Sequence, residues 1–483
     1  MDTRLADFIR DTPAGKEAEA ILRSCVHCGF CTATCPTYQL LGDELDGPRG
    51  RIYLIKQVLE GKPVTEKTRL HLDRCLTCRS CDTPAGKEAE AILRTCVHCG
   101  FCTATCPTYQ LLGDELDGPR GRIYLIKQVL EGKPVTEKTR LHLDRCLTCR
   151  SCETTCPSGV KYSHLLDIGR QVVEEKLPRK GGDALMRRVL REALTRPGVF
   201  GPAVRLGQLL RPLLPSGLAD KLPPEASGLA RPWPARSEHA RRMLALAGCV
   251  QPALAPNINA ATARVLDRLG IELFEEGKAG CCGAVRFHLN DQAAARDDMR
   301  RNIDAWWPHV DKGIEAIVAT ASGCGVQIRD YGHVLADDAV YAEKAAKISA
   351  LCRDPSEILA AERERLQTLL EPGRRQRGKL AFHAPCTLQH GLKIRGVIEE
   401  LLVAAGHALV PVADGHLCCG SAGTYSLLQP ELSLRLRDNK LAALTADSPL
   451  AVATANIGCL THLQAGSVLP VRHWIELIDE ALT

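Results

Sequence analysis

The string "CVHCGFCTATCP" occupies residues 96–107, and the same letters occupy residues 25–36. The identity extends far beyond the string, because residues 11–81 align with residues 82–152 without a gap. The aligned residues differ at one position, Ser24 against Thr95. Neutral surface positions drift with time, so this identity indicates a recent tandem duplication or an artefact of the sequence record, rather than a repeat architecture with its own physics.

The second copy continues into a second string, "CLTCRSCETTCP" at residues 146–157. Both strings follow the spacing C-x2-C-x2-C-x3-C-P, in which three thiolates bind one 4Fe-4S cube and the fourth reaches the other cube. The spacing therefore predicts two 4Fe-4S clusters. The predicted ligand sets are Cys96, Cys99, Cys102 and Cys156 for one cluster, and Cys146, Cys149, Cys152 and Cys106 for the other.

Zinc is the alternative metal, since soft thiolates suit it as well. Zinc sites usually use paired C-x2-C knuckles with four ligands in total, so two four-cysteine strings ending in Cys-Pro favour iron-sulfur clusters.

The first copy is incomplete, because Ala85 stands where its fourth cysteine would be. A third cluster there would use Cys75, Cys78, Cys81 and Cys35, whereas Cys25, Cys28 and Cys31 lack a local fourth ligand. A hybrid fold that pairs residues 25–35 with residues 146–156 ranks second, because the intact second copy closes a shorter loop.

Between the two strings of the second copy, apolar residues recur at helical spacing from Ile123 to Leu130, and "SHLLDIGRQVVEEKL" downstream is helical too. A helical two-cluster module therefore fits better than a small βαβ ferredoxin. His27 and His98 lie inside the cysteine strings, where a solvent-facing or backbone-bonded role is favoured over ligation.

Composition excludes several functions. The net charge is +5 with no Lys/Arg block, and aromatic residues make up 4%, so a nucleic-acid partner is not expected. No run of about 18 apolar residues occurs, and the first residues mix both charge signs without the apolar core of a signal peptide. We therefore expect a cytoplasmic protein, in which 24 cysteines serve metal ligation rather than disulfides.

From Met243 onward, apolar β-rich runs alternate with helical runs, which predicts α/β layers with mostly parallel strands. Four of the runs lead to a cysteine at the carboxyl end of a strand, where open α/β sheets bind ligands. These cysteines are Cys249, Cys324, Cys386 and Cys459.

Two vicinal pairs complete the pattern, Cys281–Cys282 and Cys418–Cys419, each followed by glycine. Thirty-one residues separate Cys249 from Cys281, and 31 separate Cys386 from Cys418, so two similar halves each gather four thiols. Buried cysteines acting as small apolar residues are the alternative. The matched spacing favours a metal, a cluster or a redox role, and Cys352, outside the pattern, is interpreted as structural.

The fold class predicted is thus α+β and multidomain, with a partly duplicated helical module followed by a pseudo-duplicated α/β cysteine-rich region. A proline-dense stretch separates the two parts. The predicted domains are 1–81 (incomplete extra copy), 82–180 (two-cluster module), 181–240 (helical and Pro-rich linker), 241–350 (first cysteine-rich half) and 375–483 (second half).

These motifs resemble the iron-sulfur subunits of bacterial glycolate oxidases and, more broadly, heterodisulfide-reductase and lactate-utilisation proteins with CCG domains. The resemblance is carried by the duplicated cysteine strings with "PTYQLLGDELDGPRGRIYLIKQVLEG", and by "ATARVLDRLGI", "RNIDAWW", "CTLQH", "LCCGSAGTY" and "TANIGC". It implies a subunit that relays electrons from a flavin-containing subunit, which oxidises glycolate to glyoxylate, towards the quinone pool at the inner face of the membrane. Peripheral membrane association and other acceptors stay open, as does lactate as substrate.

The chain departs from the family pattern at two points. The extra 71 residues are foreign to it, and the C-x2-C pair that closes each CCG half in related proteins is interrupted here by Gln327 and His462. A multi-iron cluster in the CCG halves is therefore an open alternative to a single metal ion or to no metal.

Three functions remain after these observations. The chain has no G-x-G-x-x-G fingerprint after a strand and no P-loop, so it is not the dehydrogenase by itself, and no catalytic residue is assigned to it. An electron-transfer subunit is the first hypothesis. A thiol-redox enzyme of the heterodisulfide-reductase type, using the CCG cysteines, is the second, and a structural zinc protein is the third.

Overall fold

The computed structural model describes residues 3–27, 29–33, 35–75, 84–131, 133–211, 231–234, 239–373 and 375–483. The chain divides into two compact units that exchange segments along the sequence. The first comprises Met1–Ala104, Leu112–Arg145 and Thr155–Pro178, and the second comprises Thr105–Leu111, Cys146–Thr154 and Arg179–Thr483.

The amino-terminal part of the chain is helical. Its helices are α1 (Pro13–Ser24), α2 (Phe30–Ala33), α3 (Pro36–Leu41), α4 (Pro48–Leu59), α5 (Glu66–Asp73), α6 (Pro84–Thr95), α7 (Phe101–Ala104), α8 (Pro107–Leu112), α9 (Pro119–Leu130), α10 (Glu137–Asp144), α11 (Ser151–Thr155) and α12 (Tyr162–Lys176). Short 3-10 turns span Glu44–Asp46 and Glu115–Asp117.

The two copies begin their helices in the same way, since identical sequences carry identical caps. Thr65 and Thr136 each accept a hydrogen bond at the start of α5 and α10, which satisfies one of the unpaired N–H groups of the first turn. In the second copy α9 packs against α12, where a Cβ on Gly169 would lie 2.6 Å from the Ile126 side chain. Glycine therefore permits the close approach of these two helices.

The second unit contains two small parallel sheets built alike. Strands β1 (Arg241–Ala245), β2 (Ile271–Glu275), β3 (Ala316–Val318) and β4 (Cys352–Arg353) form one sheet, in the order β2-β1-β3-β4. Strands β5 (Lys379–His383), β6 (Ala408–Val410), β7 (Ala451–Thr454) and β8 (Val471–His473) form the other, in the order β6-β5-β7-β8. The shared order supports the duplication read from the cysteine spacing.

Helices connect and flank these strands. They are α13 (Gly181–Leu194), α14 (Pro197–Leu209), α15 (Gln251–Leu254), α16 (Asn257–Arg268), α17 (Ala284–His288), α18 (Gln292–Val310), α19 (Ser322–Arg329), α20 (Tyr331–Val334), α21 (Ala342–Leu351), α22 (Pro355–Ala361), α23 (Arg363–Leu370), α24 (Val397–Ala404), α25 (Tyr425–Leu428), α26 (Pro430–Thr445), α27 (Ile457–Gln464) and α28 (Trp474–Ala481). A π-helical turn spans Thr387–Gly391 and a 3-10 turn spans Glu371–Gly373.

The two halves share one apolar core, which includes Leu266 of α16, Leu380 of β5 and the fully buried Trp474 of α28. Across the same core, Arg264 donates to the buried Asp479 at 2.7 Å. The halves therefore fold as one body within the second unit.

The prediction of a helical module followed by paired α/β halves is confirmed. Within the stretch predicted as a helical and Pro-rich linker, the prolines of residues 197–209 do not prevent a helix. Pro197 begins α14, where its missing N–H costs nothing, and only Pro202 lies inside. The rest of the proline-dense stretch, residues 212–230 and 235–238, lies outside the described residues. Over the described ranges, no helix is long and apolar enough to cross a bilayer.

Candidate metal centres

The first predicted ligand set is assembled within the first unit. The Cys96 thiol interacts electrostatically with the thiols of Cys156 and Cys99, and the Cys102 thiol interacts with those of Cys96 and Cys156. Burial raises the pKa of Cys102 to about 11. The fold thus brings Cys156 to three cysteines that lie 54 to 60 positions before it in the sequence. Ligands of one metal centre must converge in this way.

The second predicted set is assembled within the second unit. The Cys149 thiol interacts with those of Cys106 and Cys146, and Cys152 interacts with all three. Loss of hydration raises the pKa values of Cys149 and Cys152 well above the ordinary value. The structure therefore gathers all eight predicted sulfurs in two groups of four, each confined to one compact unit.

The backbone of both strings alternates between right- and left-handed residues. The non-glycine residues His98, Thr148 and Arg150 have φ values of 53°, 53° and 59°. Such alternation turns successive N–H groups toward a concave surface that binds anionic groups, iron-sulfur sites included. In agreement, the N–H of Thr148 donates to the Cys146 sulfur at 3.4 Å, and that of His98 donates to the Cys96 sulfur.

Arg150 holds its strained backbone with an ion pair. Its guanidinium donates to Asp330, just after α19, at 2.5 Å. A second link joins Thr154, at the end of the same string, to His390 of the π-helical turn, with 3.0 Å between Thr154 Oγ1 and His390 Nδ1. Both links lie inside the second unit.

The second group also borders the carboxy-terminal half. The Cys149 thiol interacts electrostatically with that of Cys386, and the Cys418 thiol interacts with that of Cys149. The string 146–152 therefore adjoins the thiols that follow β5 and β6.

The cysteines of the extra copy are only partly described. Cys25 and Cys31 are half-buried and Cys75 is exposed. Cys35 is buried, and its sulfur lies 3.2 Å from Thr37 Oγ1 and accepts from Arg51 at 3.8 Å. The remaining predicted ligands of this copy, Cys28, Cys78 and Cys81, lie outside the described residues.

The two histidines inside the strings differ in exposure. The His98 ring is exposed, and its carbonyl accepts from Arg120 at 3.5 Å. His27 is half-buried with φ 57°, and burial lowers its pKa.

In the first cysteine-rich half, four thiols meet beyond the strand ends. Cys249 and Cys282 donate hydrogen bonds to the Cys281 sulfur, which lowers the pKa of Cys281 well below its ordinary value. Cys282 also bonds to Cys324. The strands stop three to six residues before Cys249, Cys324, Cys386 and Cys459, so these cysteines lie in loops or first helical turns rather than in the strands themselves.

In the second half, the four thiols form one hydrogen-bonded chain. Cys386 donates to the Cys418 sulfur at 3.8 Å, and Cys419 bonds to Cys418 on one side and to Cys459 on the other. All four are buried.

Side chains from helices later in the chain hydrogen-bond to the loops that carry the vicinal cysteines. In the first half, Asn302 donates to the Cys281 carbonyl at 2.8 Å, and Tyr331 donates to the Cys282 carbonyl at 2.9 Å. In the second half, Ser433 Oγ donates to the Gly420 carbonyl at 2.8 Å. These bonds fix where the sulfurs point.

Gly420 is required by this geometry, so we expect Gly420→Ala to destabilise the second half. Its φ is +87° and an added Cβ would lie 2.5 Å from the Ser433 carbonyl oxygen. The left-handed conformation and the clash together should lower the free energy of unfolding by about 2–4 kcal/mol in urea titrations. Gly415→Ala is the control, because its Cβ would meet the nearest atom at 3.5 Å. Equal losses in the two variants would contradict the interpretation.

Sequence reasoning missed several residues around the second half. The ammonium of the buried Lys440 interacts with the thiols of Cys418, Cys419 and Cys386, and Lys440 Nζ donates to the Asp414 carbonyl at 2.7 Å. His383, the last residue of β5, has a ring nitrogen that lies with the sulfurs of Cys419 and Cys459 in a group whose donor atoms are all within 4.8 Å of one another. A lysine four residues from both Leu436 and Leu444 on one helix, and a histidine ending an apolar strand, were the available signals.

The structure also describes three residues that the sequence analysis singled out but that belong to none of the thiol groups, namely His462, Gln327 and Cys352. His462 lies with its Nε2 3.2 Å from Ser433 Oγ, and Gln327 is buried in α19. Cys352 begins β4, where its thiol donates to the Gly325 carbonyl at 3.7 Å and burial raises its pKa to about 12. Its place in the apolar core suits the structural role predicted for it.

Comparison with known proteins finds two family models that match parts of the chain. A family model described as 4Fe-4S dicluster domain matches residues 21–84 and 92–160, and one described as Cysteine-rich domain matches residues 243–329 and 380–464. These matches support two 4Fe-4S clusters in the chain.

Relatives span most of the chain. The glycolate oxidase iron-sulfur subunit of Escherichia coli K12 is 57% identical over 395 residues, which cover 82% of this chain and 95% of that protein. A probable glycolate oxidase iron-sulfur subunit of Bacillus subtilis 168 is 29% identical over 404 residues, covering 78% of this chain and 89% of that protein. Lactate utilization protein A of Exiguobacterium is 25% identical over 240 residues, covering 48% of this chain and 95% of that protein.

Proposed function

The chain belongs to the family of glycolate oxidase iron-sulfur subunits, and from that premise we propose that it carries electrons from a flavin-containing partner to the quinone pool. The partner would oxidise glycolate to glyoxylate. The chain itself would be an electron-transfer subunit of this oxidoreductase complex. Quinone as acceptor would place the complex at the inner face of the membrane, held there peripherally.

One observation carries this proposal, the assembly of eight cysteine sulfurs into two groups of four at the ferredoxin spacing. We propose that Cys96, Cys99, Cys102 and Cys156 bind one cluster and that Cys106, Cys146, Cys149 and Cys152 bind the other. A bound 4Fe-4S cluster supplies one-electron chemistry whose potential depends on hydrogen bonds to its sulfurs. The N–H donors of His98 and Thr148 already provide such bonds.

The electrostatic interaction between the thiols of Cys149 and Cys386 supports an ordered route for the electrons. The thiols of the second group adjoin those of the carboxy-terminal half, whereas the first group lies in the other compact unit. Hydrogen bonds from Thr154 to His390 and from Arg150 to Asp330 hold this arrangement. The second group is therefore the one that would exchange electrons with the cysteine-rich region.

The thiol-redox alternative is weakened by burial. Thiol-disulfide exchange needs a sulfur that an incoming disulfide can reach. Cys281, Cys282, Cys418 and Cys419 have relative exposures of 0%, 3%, 3% and 1%. Thiols closed off in this way suit ligation better than exchange with a substrate.

Anaerobic reduction with and without the flavoprotein partner tests the proposal. The full chain alone should show paramagnetic iron-sulfur signals after dithionite. It should show none after glycolate, because in this proposal the flavin that oxidises glycolate belongs to the partner. Co-purified with its flavin subunit, it should be reduced by glycolate and reoxidised by a soluble quinone.

Two results would overturn the proposal. One is an iron-free, colourless protein after anaerobic purification. The other is glycolate oxidation by the flavin subunit that passes electrons to quinone equally well when this chain is absent.

A further inference from the structure

We propose that His383, Cys419 and Cys459 bind a single zinc ion in the second cysteine-rich half. This inference goes beyond the electron relay and holds whether or not the chain transfers electrons. It adds an imidazole ligand to a site for which the sequence suggested only cysteines.

The position of His383 in the sheet supports ligation. His383 ends β5, the strand between β6 and β7, and shares a face of the sheet with Ala381, two residues before it. Ala381 packs with Cys419 and Cys459 in one buried cluster. Strand alternation therefore directs the imidazole to the sulfurs.

The imidazole of His383 is buried with one ring nitrogen unsatisfied within the described part of the chain. His383 is 1% exposed, and its Nε2 makes no hydrogen bond to any atom of the described ranges. A buried polar nitrogen without a partner is costly, whereas a metal bond satisfies it. The neighbouring histidine His462 differs, since its Nε2 lies 3.2 Å from Ser433 Oγ.

The short distances between the three donor atoms favour a single metal ion over a 4Fe-4S cluster. The donor atoms of His383, Cys419 and Cys459 all lie within 4.8 Å of one another. Ligands on one tetrahedral zinc, at about 2.0–2.3 Å from the metal, stand about 3.5–3.8 Å apart, so a small inward movement closes the site. Thiolates on a cube each bind a different iron and stand farther apart.

The surroundings suit bound thiolates. Asn456 Nδ2 donates to the Cys459 sulfur at 3.6 Å, and the backbone N–H of Ser421 donates to that of Cys419. The buried ammonium of Lys440 adds positive charge beside Cys419. Such outer contacts orient ligands and strengthen metal binding. Cys418, hydrogen-bonded to Cys419, is the candidate for the fourth position.

The first half lacks this site. Leu246, three residues before Cys249, corresponds to His383, three residues before Cys386. Leu246 is buried among apolar side chains in a cluster that includes Cys282. The two halves thus share four thiols each, but only the second offers a nitrogen donor at this position.

Metal analysis of the full chain, purified anaerobically and dialysed against EDTA, tests the inference. We expect about one zinc per chain, with both nitrogen and sulfur neighbours in X-ray absorption at the zinc edge. His383→Ala should retain at least about tenfold less zinc with unchanged iron. His462→Gln is the matched control and should retain zinc as wild type does.

If His383→Ala does not fold, His383→Cys provides a second test of zinc binding by this residue. It should keep the zinc while the nitrogen shell is replaced by sulfur. Wild-type protein without zinc, zinc retention in His383→Ala equal to that of wild type, or a nitrogen shell that persists in His383→Cys would each overturn the inference. Iron content and glycolate-driven reduction, measured in parallel, report on the relay separately.

Discussion

Cys149→Ser is expected to lose about four iron atoms per chain relative to wild type, because serine does not replace a thiolate in a 4Fe-4S site. Cys149 interacts with Cys106 and Cys146 on one side and with Cys386 on the other. Its loss should therefore empty the second group and also cut the route to the carboxy-terminal half. Glycolate-dependent quinone reduction by the complex should fall by more than about 100-fold, beyond the usual effect of changes outside the ligand shell.

Cys352→Ser serves as the control for this variant. Cys352 is a buried cysteine whose thiol donates to the Gly325 carbonyl, a bond that a hydroxyl can also make. Its iron content and activity should match wild type. Full iron retention in Cys149→Ser would refute the assignment of the second ligand set.

Asp117→Ala is expected to lower the stability of the second copy by about 3–5 kcal/mol, because it leaves buried positive groups without their counter-charge. Asp117 is fully buried, and its carboxylate accepts from Arg145 at 2.9 Å and lies 3.0 Å from His142 Nδ1. Arg122, 1% exposed, donates to the same carboxylate at 3.4 Å. Thermal unfolding and iron content are the measurements.

The duplication supplies a matched control, Asp46→Ala. Asp46 is also fully buried, with His71 Nδ1 at 3.0 Å and Arg74 donating at 3.0 Å. The local cost should therefore be similar, but Arg145 directly precedes the cysteine string 146–152 and Arg74 precedes the incomplete one. We expect iron loss in Asp117→Ala only. Equal iron loss in Asp46→Ala would instead indicate either a cluster in the extra copy, on Cys35, Cys75, Cys78 and Cys81, or the hybrid pairing of residues 25–35 with 146–156.

Apolar residues at helical spacing predicted the helical module. The cysteine spacing predicted the paired halves, because metal ligands impose their own distances along the chain. The 31-residue interval before each vicinal pair, repeated in both halves, required two similar βα units. Confirmation came from the shared strand order of the two sheets. The ligand sets themselves stay a prediction, supported by the way the sulfurs converge.

Contacts between distant residues were beyond the sequence reading. Asp117 lies in "GDELDGPRG", which indicates a turn, and only the fold shows that Arg145, 28 residues later, returns to its carboxylate. His383 likewise reads as one polar residue at the end of an apolar strand. Its possible role as a ligand depends on the cysteines that follow β6 and β7, which come close to it only in the folded chain. A short stretch of sequence does not show that proximity.

The way the chain passes between its two compact units limits how it can be dissected. Segments 105–111 and 146–154 belong with the carboxy-terminal body, although the sequence on either side of them does not. A fragment cut at residue 179 would thus remove Thr154 from His390, Arg150 from Asp330 and Cys149 from Cys386. The cysteine-rich region is therefore not a domain that can be separated by a single cut. Exchanging it between homologous subunits would also require exchanging segments 105–111 and 146–154.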